Sequence, residues 1–185
     1  IGAVQKKLKL YRSTLVKCSK DELGLVSDIK IDPQKSLITV AGEKGALTTD
    51  MAGHINSSMR HMSRDTTNIV TDATGKTFFH CRGSWGISPR LMNEDGTIIW
   101  KNKNEFDFES GGVDDSACGD FDGDGNLEIM IVPANADSVT LFDTAGTIKK
   151  QFKTNWLRRI NLTQSSLGKP SILVAKDFEK YILFD

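Results

Sequence analysis

Apolar and polar positions alternate along this chain in short runs, each closed by a turn rich in glycine, aspartate or asparagine. Leu25 to Ile31, Leu37 to Ala41 and Ala46 to Asp50 form one series, followed by a strand from His54. Asn68 to Asp72, Thr77 to Cys81, Ile87 to Asn93 and Thr97 to Lys101 form a second. Ala117 to Phe121, Leu127 to Val132, Ser138 to Asp143 and Thr147 to Phe152 form a third. Trp156 to Leu162, Ser171 to Ala175 and Tyr181 to Phe184 begin a fourth. Runs this short, with β-branched residues and period-two alternation, read as strands.

The turns betray a repeat. The pattern Asp/Asn-x-x-Gly-x-Ile occurs at Asp50 to Ile55, Asn93 to Ile98 and Asp143 to Ile148, and Leu183-Phe-Asp185 matches the opening of another copy. Glycine at the fourth place suits a tight turn that needs a positive φ. Four-stranded units recurring every ~40–50 residues are the mark of propeller blades. The expected fold is therefore all-β, a β-propeller of four-stranded antiparallel blades with about three and a half to four blades present. Residues 1–185 form one such domain or part of a larger one, in units of roughly 25–56, 67–102, 116–153 and 156–185.

Three stretches fit the repeat less well. Residues 3–17 alternate partly, and are expected to be a closing strand or the outer strand of a preceding blade. Residues 56–66 are polar and read as a loop. Residues 102–110 have the period of a short half-buried strand, with Glu105, Asp107 and Glu109 alternating against Phe106 and Phe108.

Between the first two strands of the third unit lies Gly-Asp-Phe-Asp-Gly-Asp-Gly-Asn-Leu-Glu, residues 119–128. Asp120, Asp122 and Asp124 take alternate places, Gly125 stands at a sharp turn, and Glu128 is the ninth residue of the loop. So many carboxylates close together repel each other unless a cation neutralises them. Calcium takes ~6–8 oxygen ligands, which this loop can supply from the four acidic side chains and the Asn126 carbonyl. An EF-hand begins in the same way but needs a bidentate Glu at its twelfth place. Here that place is Ile131, inside an apolar strand, so the EF-hand is excluded.

What remains resembles the Asp-x-Asp-x-Asp-Gly-x-x-Asp loop of the FG-GAP and VCBS repeats in integrin-like and bacterial β-propellers, with Glu128 in place of the last Asp. The Phe-Gly-Gly-Ala-Pro hallmark is absent; Val132-Pro-Ala is a weak echo. The resemblance implies metal-binding by Asp120, Asp122, Asp124 and Glu128 through side chains and Asn126 through its carbonyl, with Ca2+ as a structural ion. It also implies a secreted protein of the extracellular space, periplasm or cell surface, with roles such as cell adhesion. In the other units, Lys30, Asp32, Gln34 and Lys35, the short turn Asp72 to Gly75, and Thr163, Ser165 and Leu167 stand where the ligands would be, and those turns are expected to be metal-free.

Composition narrows the function classes. The 185 residues carry 24 basic and 24 acidic side chains, so there is no basic face of the kind nucleic acid requires. No apolar run approaches the ~18 residues of a membrane span. Cys18, Cys81 and Cys118 have no metal-like spacing, and Asn-x-Ser/Thr sequons occur at Asn56 and Asn161.

Catalytic motifs are sparse. His54, His61 and His80 belong to no His-Glu-x-x-His pattern, and there is no Gly-x-Ser-x-Gly elbow. Asp114 and Asp115 read as a solvated turn, the alternatives being that they join the metal site or act as a carboxylate pair. Trp85, between Gly83 and Gly86, is the candidate for stacking on a sugar, whereas Trp100 and Trp156 are expected to pack between blades.

The sequence therefore points to a non-enzymatic, calcium-stabilised module that binds or scaffolds a protein or carbohydrate ligand, with further blades of the same polypeptide if the ring is larger. The alternative is part of a polysaccharide-active propeller enzyme, similar to the rhamnogalacturonan lyases, with His54, His61 and Arg64 converging on Asp114 or Asp115.

Overall fold

The computed structural model describes residues 23–60, 66–82, 88–102, 113–133, 138–153, 157–164, 170–176 and 180–184. Fifteen strands run through them. The first sheet holds β1 (Val26–Asp32), β2 (Leu37–Gly42), β3 (Gly45–Asp50) and β4 (Ile55–Arg60). The second holds β5 (Thr67–Thr71), β6 (Thr77–Cys81), β7 (Arg90–Asn93) and β8 (Ile98–Lys101). The third is built from β9 (Val113–Gly119), β10 (Glu128–Pro133), β11 (Ser138–Asp143) and β12 (Ile148–Lys153). The last contains β13 (Leu157–Gln164), β14 (Pro170–Lys176) and β15 (Lys180–Phe184). Every pairing is antiparallel between sequence neighbours, as in a meander. The first strands of successive sheets lie beside one another: β1 packs on β5, β5 on β9 and β9 on β13. This is the all-β propeller that the repeat predicts.

Three apolar seams fill the spaces between sheets. Because a strand sends alternate side chains to opposite faces, each sheet supplies one set to the sheet before it and another to the sheet after. Ala41, Ala46 and Met59 of the first sheet meet Ile69, Phe79 and Met92 of the second. The second sheet turns Phe78, Leu91 and Trp100 toward Cys118, Ile129 and Ile131 of the third. On its other face the third sheet packs Ala117, Met130, Val139 and Leu141 against Ile160 of β13. Trp100 lies against Phe142 with ring centroids 5.9 Å apart, which bears out its reading as a blade-packing tryptophan.

The turns are as regular as the seams. In each Asp/Asn-x-x-Gly turn the fourth-residue amide donates to the carbonyl of the first, as Gly53 does to Asp50, Gly96 to Asn93 and Gly146 to Asp143. The glycines sit at φ between 86° and 95°, a region costly for any residue with a Cβ.

Two sequence expectations are corrected. The 56–66 loop is in part strand, since β4 reaches Arg60. Asn56, Ser57 and Ser58 are exposed there, because an outer strand shows water most of its side chains and has no apolar alternation to read. Second, Asp114 and Asp115 are no solvated turn: β9 begins at Val113, and Asp115 is 2% exposed. The expected elements at 3–17 and 103–110, and Cys18, His61, Arg64, Trp85 and Trp156, lie outside the described residues. Cys81 and Cys118 are both buried and in no disulfide. No helix long and apolar enough to cross a membrane occurs among the described residues.

Candidate metal centre

The acidic loop spans the connection between β9 and β10. Gly119 and Glu128 face each other across the ladder, so the eight residues between them leave the sheet and return to it. Gly123 and Gly125 have φ of 79° and 88°, which lets the backbone fold inward around the carboxylates. Asp120 accepts hydrogen bonds from the amides of Gly123 at 2.7 Å and Gly125 at 3.0 Å. Asp122 accepts from Asp124 N at 3.2 Å, and Asp124 from Asn126 N at 2.8 Å. One ligand-capable oxygen from each of Asp120, Asp122 and Asp124 falls within 4.8 Å of the others.

Glu128 stands beside the aspartate group, at the start of β10. Its side chain is fully buried, with Oε2 accepting from the Phe121 amide at 2.9 Å. Oε1 accepts from Lys149 Nζ at 3.0 Å. Burial pushes this carboxyl up, opposed by the Phe121 amide and by Lys149.

Lys149 was not among the sequence candidates. Its Nζ lies 2.6 Å from Asp122, 3.0 Å from Glu128 and 3.5 Å from Asp124. Hydrogen bonds to Asp122 and Glu128 hold its ammonium well above the usual lysine range. The ammonium shows that Asp122, Asp124 and Glu128 hold a positive charge between them, and the three aspartates offer the oxygen donors that a hard ion takes. The Asn126 backbone lies in the same loop, tied by its amide to Asp124.

The corresponding turns of the first and second sheets are shorter, and they are linked edge to edge in series, the second meeting this loop. Lys35 Nζ donates to the Gly75 carbonyl at 2.8 Å, and the Ala73 amide donates to the Gly125 carbonyl at 3.2 Å. Lys30, aligned with a ligand position on sequence, lies within β1 instead, with its Nζ on Thr71 Oγ1.

A second polar cluster, invisible in the sequence, sits between the first strands of the third and fourth sheets. Arg82, just past β6, grips Asp115 with both forks, Nε to Oδ1 at 2.9 Å and Nη2 to Oδ2 at 2.6 Å. The same guanidinium donates to the carbonyls of Ser116 and Ile160, while Asp115 accepts from the Ile160 amide at 2.9 Å. Burial pushes the Asp115 carboxyl up and Arg82 pulls it down. Nearby, His80 Nε2 meets Ser116 Oγ at 3.2 Å, both fully buried. Burial, and then the Arg82 charge, lower the imidazole to about 3. Burial pushes the Cys118 thiol far up, with the Glu128 charge adding to it, so it is no thiolate nucleophile.

Of the residues the lyase alternative requires, Asp115 is committed to Arg82 and the neighbouring strand. His54 is exposed on its turn, with Nδ1 2.8 Å from Asp50.

Neither a family model nor a curated protein matches the sequence. Solved structures do match in fold. A protein of unknown function from Bacteroides caccae superposes with a TM-score of 0.55 at 11% identity, over 86% of this chain and 56% of its own. BamB from Moraxella catarrhalis gives 0.51 at 12%, over 80% of this chain and 39% of its own. A streptogramin B lyase gives 0.52 at 12%, over 89% and 57%. The chain thus spans about half the length of the structures it matches. At these identities the likeness is one of fold, and the fold is that of a β-propeller.

Proposed function

We propose that this chain is a non-enzymatic propeller module in which calcium, held by Asp120, Asp122, Asp124, Glu128 and the Asn126 carbonyl, ties the β9–β10 loop to the blade edge. The module would present its surface to a protein or carbohydrate partner. The observation that carries this reading is the convergence of three aspartate oxygens within 4.8 Å, beside a buried glutamate linked to Asp122 and Asp124 through Lys149. The ion would supply charge neutralisation and rigidity. The loop itself turns the oxygens inward through its glycines and shields Glu128 from water. The sequence resemblance places such a module in the extracellular space, periplasm or cell surface.

Thermal unfolding in calcium and in chelator tests the proposal. At about ten times Kd, calcium adds about 1.4 kcal/mol, or a rise of about 3–6 °C for a chain of this size. Asp122→Ala removes the rise. Superimposable curves in calcium and chelator for the unsubstituted protein would overturn the reading.

A further inference from the structure

The third sheet does something with its outer strand that the other two do not. In all three complete sheets the ladder between the third and fourth strands slips by one residue at the same place. Thr48 pairs with Ser57 and Thr49 with Ile55; Leu91 pairs with Trp100 and Met92 with Ile98; Leu141 pairs with Lys150 and Phe142 with Ile148. The residue left over is Asn56 in the first sheet, Ile99 in the second and Lys149 in the third. A β-bulge re-aims the side chain of its extra residue. Only the third sheet carries a lysine at that point, and among the described residues only its first loop gathers three carboxylates.

From this coincidence we infer that Lys149 is a tethered competitor for the metal: its ammonium and a divalent cation are alternative occupants of one carboxylate cage, and the loop exchanges one for the other. This rests on the calcium reading and deepens it. Lys149 Nζ reaches Asp122, Asp124 and Glu128, three of the four side chains assigned to the ion, at distances of 2.6 to 3.5 Å. Asp120 is different. Both its oxygens are engaged by the Gly123 and Gly125 amides, so it shapes the loop whichever cation is present. With the ammonium seated, the charges on Asp122, Asp124 and Glu128 are partly compensated and the hairpin keeps its form without metal. With metal seated, the bulged strand lets Lys149, already part-exposed, swing to solvent.

Competition has a measurable signature. A site that is open for only a fraction of the time binds with its affinity reduced by that fraction, so a lysine seated nine-tenths of the time weakens calcium about tenfold. Calcium titration by calorimetry of the unsubstituted protein, Lys149→Met and Lys149→Gln is expected to show about tenfold tighter binding in both variants. Lys150→Met is the control. It removes the same charge one residue away, from a side chain that lies over the Phe152 ring at 4.8 Å, and is expected to leave the affinity unchanged. In chelator, Lys149→Met should melt below the unsubstituted protein, and saturating calcium should close the gap. Equal calcium affinity with and without Lys149, or an equal gain from Lys150→Met, would overturn the competition while leaving the calcium site standing. Calcium binding by none of the four proteins would sink the site and the competition together.

Discussion

The Asp28 carboxylate accepts a hydrogen bond from the Ile69 amide at 2.7 Å, across the seam between the first and second sheets. Asp115 repeats the arrangement with Ile160 at 2.9 Å, across the seam between the third and fourth. A side chain on one inner strand thus satisfies a backbone donor on the next, where no ladder partner exists.

The two clasps should differ in energy. Asp28→Ala removes one charged acceptor from a part-buried amide, a loss of about 1–3 kcal/mol. Asp115→Ala also strands the Arg82 guanidinium, and breaking a buried pair by removing one partner costs about 3–5 kcal/mol. Urea unfolding of the two variants under the same conditions gives the comparison. Equal losses would mean that the Arg82 pair contributes nothing beyond the clasp.

His80 should make the protein acid-sensitive. Its unfolded imidazole takes up a proton near 6.5, and the folded one only near 3. Between those values the unfolded chain binds more protons, so stability is full above about 6.5 and is lost as the pH falls toward 3, by up to about 1.4 kcal/mol per unit. His80→Gln keeps a polar group near Ser116 but does not titrate. Its stability between pH 6.5 and 4.5 should fall less steeply than that of the unsubstituted protein, in urea unfolding at each pH.

Trp100 reaches from β8 to the next blade. A methyl placed on Gly146 would lie 3.7 Å from its indole Nε1, just as one on Gly96 would lie 3.5 Å from Met59 Sδ. In both cases a fourth-strand side chain covers the glycine turn of the following sheet. Trp100→Ala should cost about 3–5 kcal/mol, and Trp100→Phe, which still fills much of the seam against Phe142, markedly less. Chemical denaturation distinguishes them.

Gly125 is constrained twice over. Its φ is +88°, and an added Cβ would come within 2.9 Å of the Ala73 Cβ in the adjoining turn. The conformation alone costs a non-glycine residue about 1–3 kcal/mol, so Gly125→Ala should destabilise the fold and weaken the calcium response. Adding Ala73→Gly removes the collision but not the backbone strain. The double variant should therefore recover only part of the loss, and full recovery would show that φ is immaterial here.

Much of this architecture is written locally. The glycine turns at Gly53, Gly96 and Gly146 could be read because each depends on a few adjacent residues, and β10 because Ile129 to Val132 is an unbroken buried apolar run. The aspartates were legible for the same reason, since the loop that gathers them is a single contiguous segment. β4 was obscured by solvent, which tolerates Asn56, Ser57 and Ser58 on an outer strand. Asp115 was obscured by distance in sequence: its partner Arg82 lies in the preceding sheet, and without that partner a carboxylate at a strand's start reads as a turn. Lys149 was hidden by the bulge, because a side chain's direction after a register slip follows from the pairing of two strands and not from the period of either.

That slip has a further use. Asparagine, isoleucine and lysine stand at the same address in three successive blades, on backbones that share one deviation, so the address accepts changes of chemistry without new architecture. A protein engineer could treat it as a socket: Ile99→Lys, with the Asp72–Gly75 turn lengthened to the third blade's loop, would carry the lysine and its carboxylates together into the second blade.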